Sequence, residues 1–317
     1  MDFSAILDDA KNTITTFKDK NPDWVVVIWW ATATGKSRLS VELSEFFDME
    51  VISSDSRQIF RKMDIWTDKI SAEIRARIPH HQIDIVNPDQ TYTAWEWKED
   101  VDKEVDDILS RWKFPFIVWW TGLYIDTIYK NFSMPECAPD YKLREELEKK
   151  ETENPWYVHR ELSKIDPEEA SKLHPNSTRY IIRALEIFYK TGKTKTEGYI
   201  QQPVRHPLLM LWLWRDKEST NQLINARIKE MFKAGLVDEV DWLLKEGYSP
   251  SLQSMQGIWY KEVVRYLQWE YNYDKMEELL KRDTHHLAKK QRTWFRRYIA
   301  EGIQTPKTWV SYKVWEL

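Results

Sequence analysis

The hydrophobic and polar positions follow two regimes along the chain. Up to about residue 130, short near-continuous apolar runs alternate with stretches of helical spacing. Trp24-Val25-Val26-Val27-Ile28 follows the turn-forming Asn21-Pro22-Asp23 and predicts a strand. Leu39, Leu43 and Phe46/Phe47 then recur at spacings of three and four, which predicts a helix. Met49-Glu50-Val51-Ile52 predicts a second strand, ending in Ser53-Ser54-Asp55-Ser56, and His80 to Ile85 a third. An acid-rich helix from Ala94 to Trp112 precedes a fourth strand, Phe114-Pro115-Phe116-Ile117-Val118. Strands that are apolar on both faces and separated by helices imply an α/β fold with a parallel, doubly wound sheet.

The second regime is helical. From Pro139 to Leu173 the residues are charged, with breaks at Pro155 and Pro167 and no strand candidate, which predicts a small insertion with solvated helix faces. Strand character returns from His206 to Leu213. The remainder reads as helices over Ser219 to Lys233, Leu236 to Glu246, Tyr260 to Glu270 and Asp274 to about Ile299. The expected organisation is a first core segment (1–130), a helical insertion domain (131–175), and a second core segment with a helical C-terminal region (176–317).

Composition narrows the class. Hydrophobic residues at 42% and aromatics at 14% exclude a disordered chain. No apolar run approaches the ~18–20 residues that cross a bilayer, and Met1-Asp2-Phe3-Ser4 lacks the start of a secretory signal. The single cysteine, Cys137, forbids an internal disulfide or a multi-cysteine zinc site, so a reducing compartment, the cytoplasm, is expected. A net charge of −4 means that any polyanion must meet a local basic patch. Eight glycines beside eighteen tryptophans depart strongly from ordinary usage, in which glycine is about 7%.

The clearest chemistry lies after the first strand. Residues 30–37 read Trp-Ala-Thr-Ala-Thr-Gly-Lys-Ser, which is the phosphate loop G-x-x-x-x-G-K-[ST] apart from Trp30. Ala31, Thr32, Ala33, Thr34, Gly35, Lys36 and Ser37 are the candidate phosphate ligands, because loop N–H groups and a helix N-terminus hold phosphate oxygens. Lys36 adds a positive charge, and the Ser37 hydroxyl is the candidate Mg²⁺ ligand. The competing reading is an ordinary helix start capped by Thr34. Asp55, beyond the second strand, is a candidate general base or water-mediated Mg²⁺ ligand, against a simple helix cap.

Near the C-terminus, residues 281, 282, 289, 290, 292, 296 and 297 are basic, against one acid, Asp283. Lys289, Arg292 and Arg296 fall on one helical stripe, and Leu287, Trp294 and Tyr298 on another. That suits a helix packed on the core and facing nucleic-acid phosphates; a solvated amphipathic helix is the alternative. The pairs His80-His81 and His285-His286 point in divergent directions and make poor metal sites.

Several segments in order carry a resemblance: residues 31–37, Ile52 to Gln58, Met63-Asp64-Ile65-Trp66-Thr67, and Pro79 to Asp84. Val118 to Tyr124, Ile181 to Glu186, Gln256 to Glu262 and Ala288 to Arg296 follow. Together they resemble the tRNA dimethylallyltransferase (tRNA isopentenyltransferase) family over nearly the whole chain, from about Val25 to Arg297. Trp30, Trp66, Trp119, Trp120, Trp212 and Trp259 stand where the family pattern has glycine, Ala31 where it has proline, and Tyr180 where it has a basic residue.

The resemblance implies a P-loop NTPase-like core that transfers a dimethylallyl group from its diphosphate to N6 of the adenine beside the anticodon. It implies that residues 31–37 hold the diphosphate with Mg²⁺, that Asp55 is the base, and that Thr121 contacts the target adenine. Asp55, Ser56, Arg57, Gln58, Thr121, Arg179, Arg183, Lys289, Arg292 and Arg296 are the implied tRNA contacts. The adenine must leave its stack to react. The expected partners are the tRNA anticodon loop and dimethylallyl diphosphate, with no membrane, and a monomer is favoured. Two rivals stay open: a small-molecule P-loop kinase, and a folded, inactive RNA-binding variant if Trp30, Trp119 and Trp120 fill the site. An all-helical prenyl synthase is disfavoured, because Asp8-Asp9 and Asp106-Asp107 each lack the third acid of an Asp-Asp-x-x-Asp motif.

Overall fold

The computed structural model describes residues 3–29, 32–119, 121–300 and 307–313, without the side chains of 119, 295–300 and 307–313. The chain divides into two compact units, one of Met1–Tyr92, Trp97–Ile125 and His206–Leu317, the other of Thr93–Glu96 and Asp126–Arg205.

The first unit is built on a parallel sheet. Its strands are β1 (Val25–Trp29), β2 (Met49–Ser54), β3 (His80–His81), β4 (Phe114–Trp119), β5 (Leu208–Trp214) and β6 (Lys307–Lys313). They lie in the order β3-β2-β4-β1-β5-β6, and every neighbouring pair is parallel. All five residues of β1 are buried, as a strand covered on both faces must be, and Val27 sits between Ile117 and Met210. Val26, Ile28, Leu39, Leu43, Phe116 and Leu211 form one core. The helix Phe3–Lys20, which the sequence reading omits, joins that core through Phe3, Ile6, Ala10, Ile14 and Phe17 at clean helical spacing. The chain leaves β1 toward β2 and returns on the other side at β5. β1 therefore marks the switch point of the sheet, where ligands bind beyond the carboxyl ends of strands.

The C-terminal region is not wholly helical. The helices Lys217–Lys233, Leu236–Lys245, Ile258–Leu267 and Tyr273–Ala300 pack around Ile228, Leu236, Val240, Tyr260, Val263 and Leu280. β6 then adds to the sheet beside β5. Its sequence, Lys-Thr-Trp-Val-Ser-Tyr-Lys, is rich in β-branched and aromatic residues, and its terminal lysines suit a sheet edge.

The second unit is helical, with Tyr141–Glu153, Tyr157–Ile165, Pro167–Lys172 and Thr178–Thr191 closing on Leu147, Val158, Leu162, Ile181 and Leu185. Pro155 follows the end of one helix, and Pro167 opens another at its first position, where its missing N–H costs nothing. Glu186 is fully buried here and accepts from Arg144 Nε, Arg144 Nη2 and the Asp140 N–H, at 2.8, 2.8 and 2.7 Å.

Candidate active site

Three chain segments meet at the carboxyl ends of β1, β2 and β4. After β1 the chain turns into the helix Lys36–Leu43 through Gly35, whose φ of +91° is the left-handed conformation that a side chain disfavours. Lys36, the first residue of that helix, is buried. Burial, and then the Arg227 guanidinium, push its ammonium down to about 7, against the opposing pull of Asp55 and Asp68. The Ser37 hydroxyl lies at an exposed position one residue further on.

Arg227 is the feature that the motif reading misses. It comes from the helix Lys217–Lys233, pairs with Asp68 at 2.7 Å and donates to the Thr32 hydroxyl at 3.3 Å. Its signal was a lone cation between Ile224, Ile228 and Met231, on the buried face of an amphipathic helix. Thr32 is held at its amide as well, which donates to Gln291 Oε1 at 3.2 Å.

β2 delivers Asp55, which is buried one residue past the strand. Its Oδ1 accepts the Arg57 N–H at 2.8 Å. Burial raises its carboxyl to about 6, with that N–H and the charges of Arg57 and Arg227 pulling the other way. β4 delivers Thr121. Its N–H donates to the Ser54 carbonyl at 3.1 Å, and its hydroxyl accepts the Ser56 N–H at 3.0 Å. Thr121 thus ties Ser54 and Ser56 into one hydrogen-bonded corner, with Asp55 between them in the chain. Trp97 supports it from below, donating its indole N–H to the Ser53 carbonyl at 3.2 Å and stacking on Tyr124 at 4.4 Å.

The remaining expected residues are placed as follows. Arg57 donates to the Gln253 carbonyl at 2.8 Å. Gln58 is buried, with its carboxamide engaged by Ser53, Thr67 and Asp68, so it braces the corner from within. Lys289 is exposed and Arg292 is half-buried on the helix Tyr273–Ala300. In the second unit, Arg179 is exposed, whereas Arg183 pairs with Glu186 and donates to the Cys137 carbonyl at 2.8 Å. Trp30, Ala31, Trp120 and the side chains of Trp119 and Arg296 lie outside the described residues. Among the described residues, no group of three His, Cys, Asp or Glu side chains is gathered to hold a metal.

The tryptophans at family-glycine positions are accommodated unequally. Trp212 packs against the buried Trp29, with ring centroids 5.7 Å apart. The Trp66 ring presses on Gly257, where an added Cβ would lie 2.5 Å from Cη2. Three further tryptophans, Trp112, Trp156 and Trp269, have φ of +61°, +67° and +62°. Trp112 and Trp269 follow helix ends at the position where glycine normally closes a helix, and both are 91% exposed.

A phosphate loop at the switch point of a parallel sheet, facing a buried carboxylate of raised pKa, defines a P-loop α/β enzyme of group transfer. The IPP transferase family model matches residues 58–298, and the chain belongs to that family. A tRNA dimethylallyltransferase of Pelotomaculum thermopropionicum is 42% identical over 276 residues, 86% of this chain and 88% of that protein. One from Thermotoga maritima is 40% identical, over 86% of this chain and 90% of that protein. Among solved structures, a full-length tRNA isopentenylpyrophosphate transferase of Bacillus halodurans superposes with a TM-score of 0.64 at 34% identity, covering 92% and 90% of the two chains. A eukaryotic dimethylallyltransferase acting on tRNA gives 0.76 at 29% identity, covering 91% of this chain and 73% of that one.

Proposed function

We propose that this chain transfers a dimethylallyl group from dimethylallyl diphosphate to N6 of the adenine beside the anticodon of tRNA. The observation that carries this reading is that the phosphate loop and the Asp55–Thr121 corner leave the ends of neighbouring strands, close enough for the charges of Lys36 and Asp55 to act on each other, in a member of a tRNA-prenylating family. The new bond joins N6 to the first carbon of the dimethylallyl group. The carbon–oxygen bond to the diphosphate breaks, its electron pair leaves with pyrophosphate, and the N6 proton passes to Asp55. A carboxylate whose pKa is near 6 is ionised at neutral pH yet basic enough to take that proton. Lys36, Arg227 and the N-terminus of the helix Lys36–Leu43 offer positive charge to the leaving group. Thr121 orients the adenine at the same corner.

The donor set suits Mg²⁺. Ser37 offers one exposed hard oxygen, and this ion takes few protein ligands, filling its shell with phosphate and water. When bound, it neutralises charge on the departing diphosphate. The proposed acting form is a monomer. No helix among the described residues is long and apolar enough to cross a membrane, and the proposed place of action is the cytoplasm.

The test is mass spectrometry of tRNA incubated with the protein, Mg²⁺ and dimethylallyl diphosphate. The expected product is tRNA carrying one dimethylallyl group on an adenosine. tRNA binding without any gain in mass would support the inactive RNA-binding reading. Phosphate transfer from ATP to a small acceptor would support the kinase.

A further inference from the structure

The Thr32 N–H lies near the entrance of the phosphate loop and has an acceptor from far along the chain. Gln291 Oε1 takes it at 3.2 Å, from the basic C-terminal helix Tyr273–Ala300. Both residues are buried, Thr32 at 2% exposure and Gln291 at 8%. The Arg227 guanidinium meets the hydroxyl of the same threonine. Thr32 is thus a peg held at its amide and at its hydroxyl by side chains of two different helices.

Gln291 is also out of place by ordinary patterning. It follows Leu280, Thr284 and Ala288 on the buried face of its helix. A glutamine there costs desolvation unless its carboxamide is used. Three residues on, Trp294 from the same helix lies against Gly122, where an added Cβ would come within 2.8 Å of the indole. Gly122 is next to Thr121, so this one helix touches both the loop and the adenine corner.

We propose that Gln291 is a positioning residue for the diphosphate, a role that rests on the transfer reading above. Its carbonyl fixes the Thr32 peptide and, through it, the register of the loop amides that follow toward Gly35 and Lys36. A phosphate-binding loop acts by presenting several N–H groups at once, so a loop free to rotate at its entrance loses affinity for phosphate before anything else. Gln291 itself does not touch the reacting atoms.

The experiment uses the full-length protein with Gln291→Met, which keeps volume and length but removes the acceptor, beside Gln291→Ala. Inorganic pyrophosphate affinity is measured by calorimetry, and KM is measured separately for dimethylallyl diphosphate and tRNA. Both variants are expected to bind pyrophosphate about tenfold more weakly, the scale of leaving one buried N–H without a partner. KM for dimethylallyl diphosphate should rise in parallel, while KM for tRNA and the prenylated product stay the same. If Gln291→Met keeps the parent's pyrophosphate affinity, Gln291 only fills space and the proposal is overturned. A uniform loss that includes tRNA overturns it too, as general disruption. If the parent transfers nothing to tRNA but its pyrophosphate affinity still depends on Gln291, the transfer reading fails and the positioning role stands.

Discussion

At Asp55 and Lys36, burial acts on opposite charges in opposite directions. The carboxyl is raised to about 6 and the ammonium lowered to about 7, so in the free protein both are ionised only in a narrow interval. kcat/KM for dimethylallyl diphosphate is expected to peak between those values. The alkaline limb should weaken in kcat, because bound diphosphate holds the proton on Lys36; pH profiles of both constants check this. Asp55→Asn should abolish transfer while leaving tRNA affinity within about twofold, since a base matters to chemistry more than to docking. A carboxyl raised on folding favours the protonated state of the native protein, so stability falls as pH climbs from 3.8 through about 6. Thermal melts should therefore show Asp55→Asn gaining on the parent across that interval. The exposed tryptophans offer a second test at this scale. Trp112 and Trp269 bury almost nothing and hold a left-handed backbone, so glycine at either position should raise stability by about 1 kcal/mol in denaturant titrations.

Among the elements, those that repeat a pattern were legible in the sequence and those that depend on a distant partner were not. β1, β2, β4 and β5 announce themselves as apolar runs, and Thr34-Gly35-Lys36-Ser37 after β1 locates the phosphate loop. Asp55 could be found because position beyond a strand end is itself informative. Arg227 and Gln291 were hidden, since each lies on the apolar stripe of a helix and its partner Thr32 is far away in sequence. β6 was hidden for a related reason: its seven residues acquire meaning as a strand only beside β5. In the second unit, the helices depend on the buried Glu186. Burial alone would raise its carboxyl, but Arg144, the Asp140 N–H and Arg183 hold it below the ordinary value. Arg144→Ala should destabilise this unit by about 3 kcal/mol, because it leaves a buried carboxylate short of a partner. The parent's own advantage from Glu186 should be present above pH 4.5 and fade as acid protonates it, which acid titration of unfolding by circular dichroism measures.

For the whole molecule, a net charge of −4 makes tRNA recognition a matter of where the cations stand. The exposed Lys289 and Lys290 project from the helix that also supports the loop through Gln291. Replacing either lysine with alanine should lower tRNA affinity and reduce the slope of log affinity against log salt by about 0.7, one phosphate contact. An unchanged slope would assign those lysines to solvent alone.

The left-handed tryptophans carry a consequence for the gene. Glycine and tryptophan codons differ at the first base, GGG against UGG, and UGA is a codon whose meaning varies between genetic codes. A cell that reads UGA as glycine would make, from the same gene, a chain with glycine at Trp30, Trp112 and Trp269 wherever UGA encodes them. That chain would have an ordinary phosphate loop and unstrained helix ends. In such a cell, the purified protein would have an intact mass below that calculated from the sequence by a whole number of tryptophan-to-glycine differences. A mass equal to the calculated one would fix tryptophan at every position and leave the strain at 112, 156 and 269 as a permanent property of the fold.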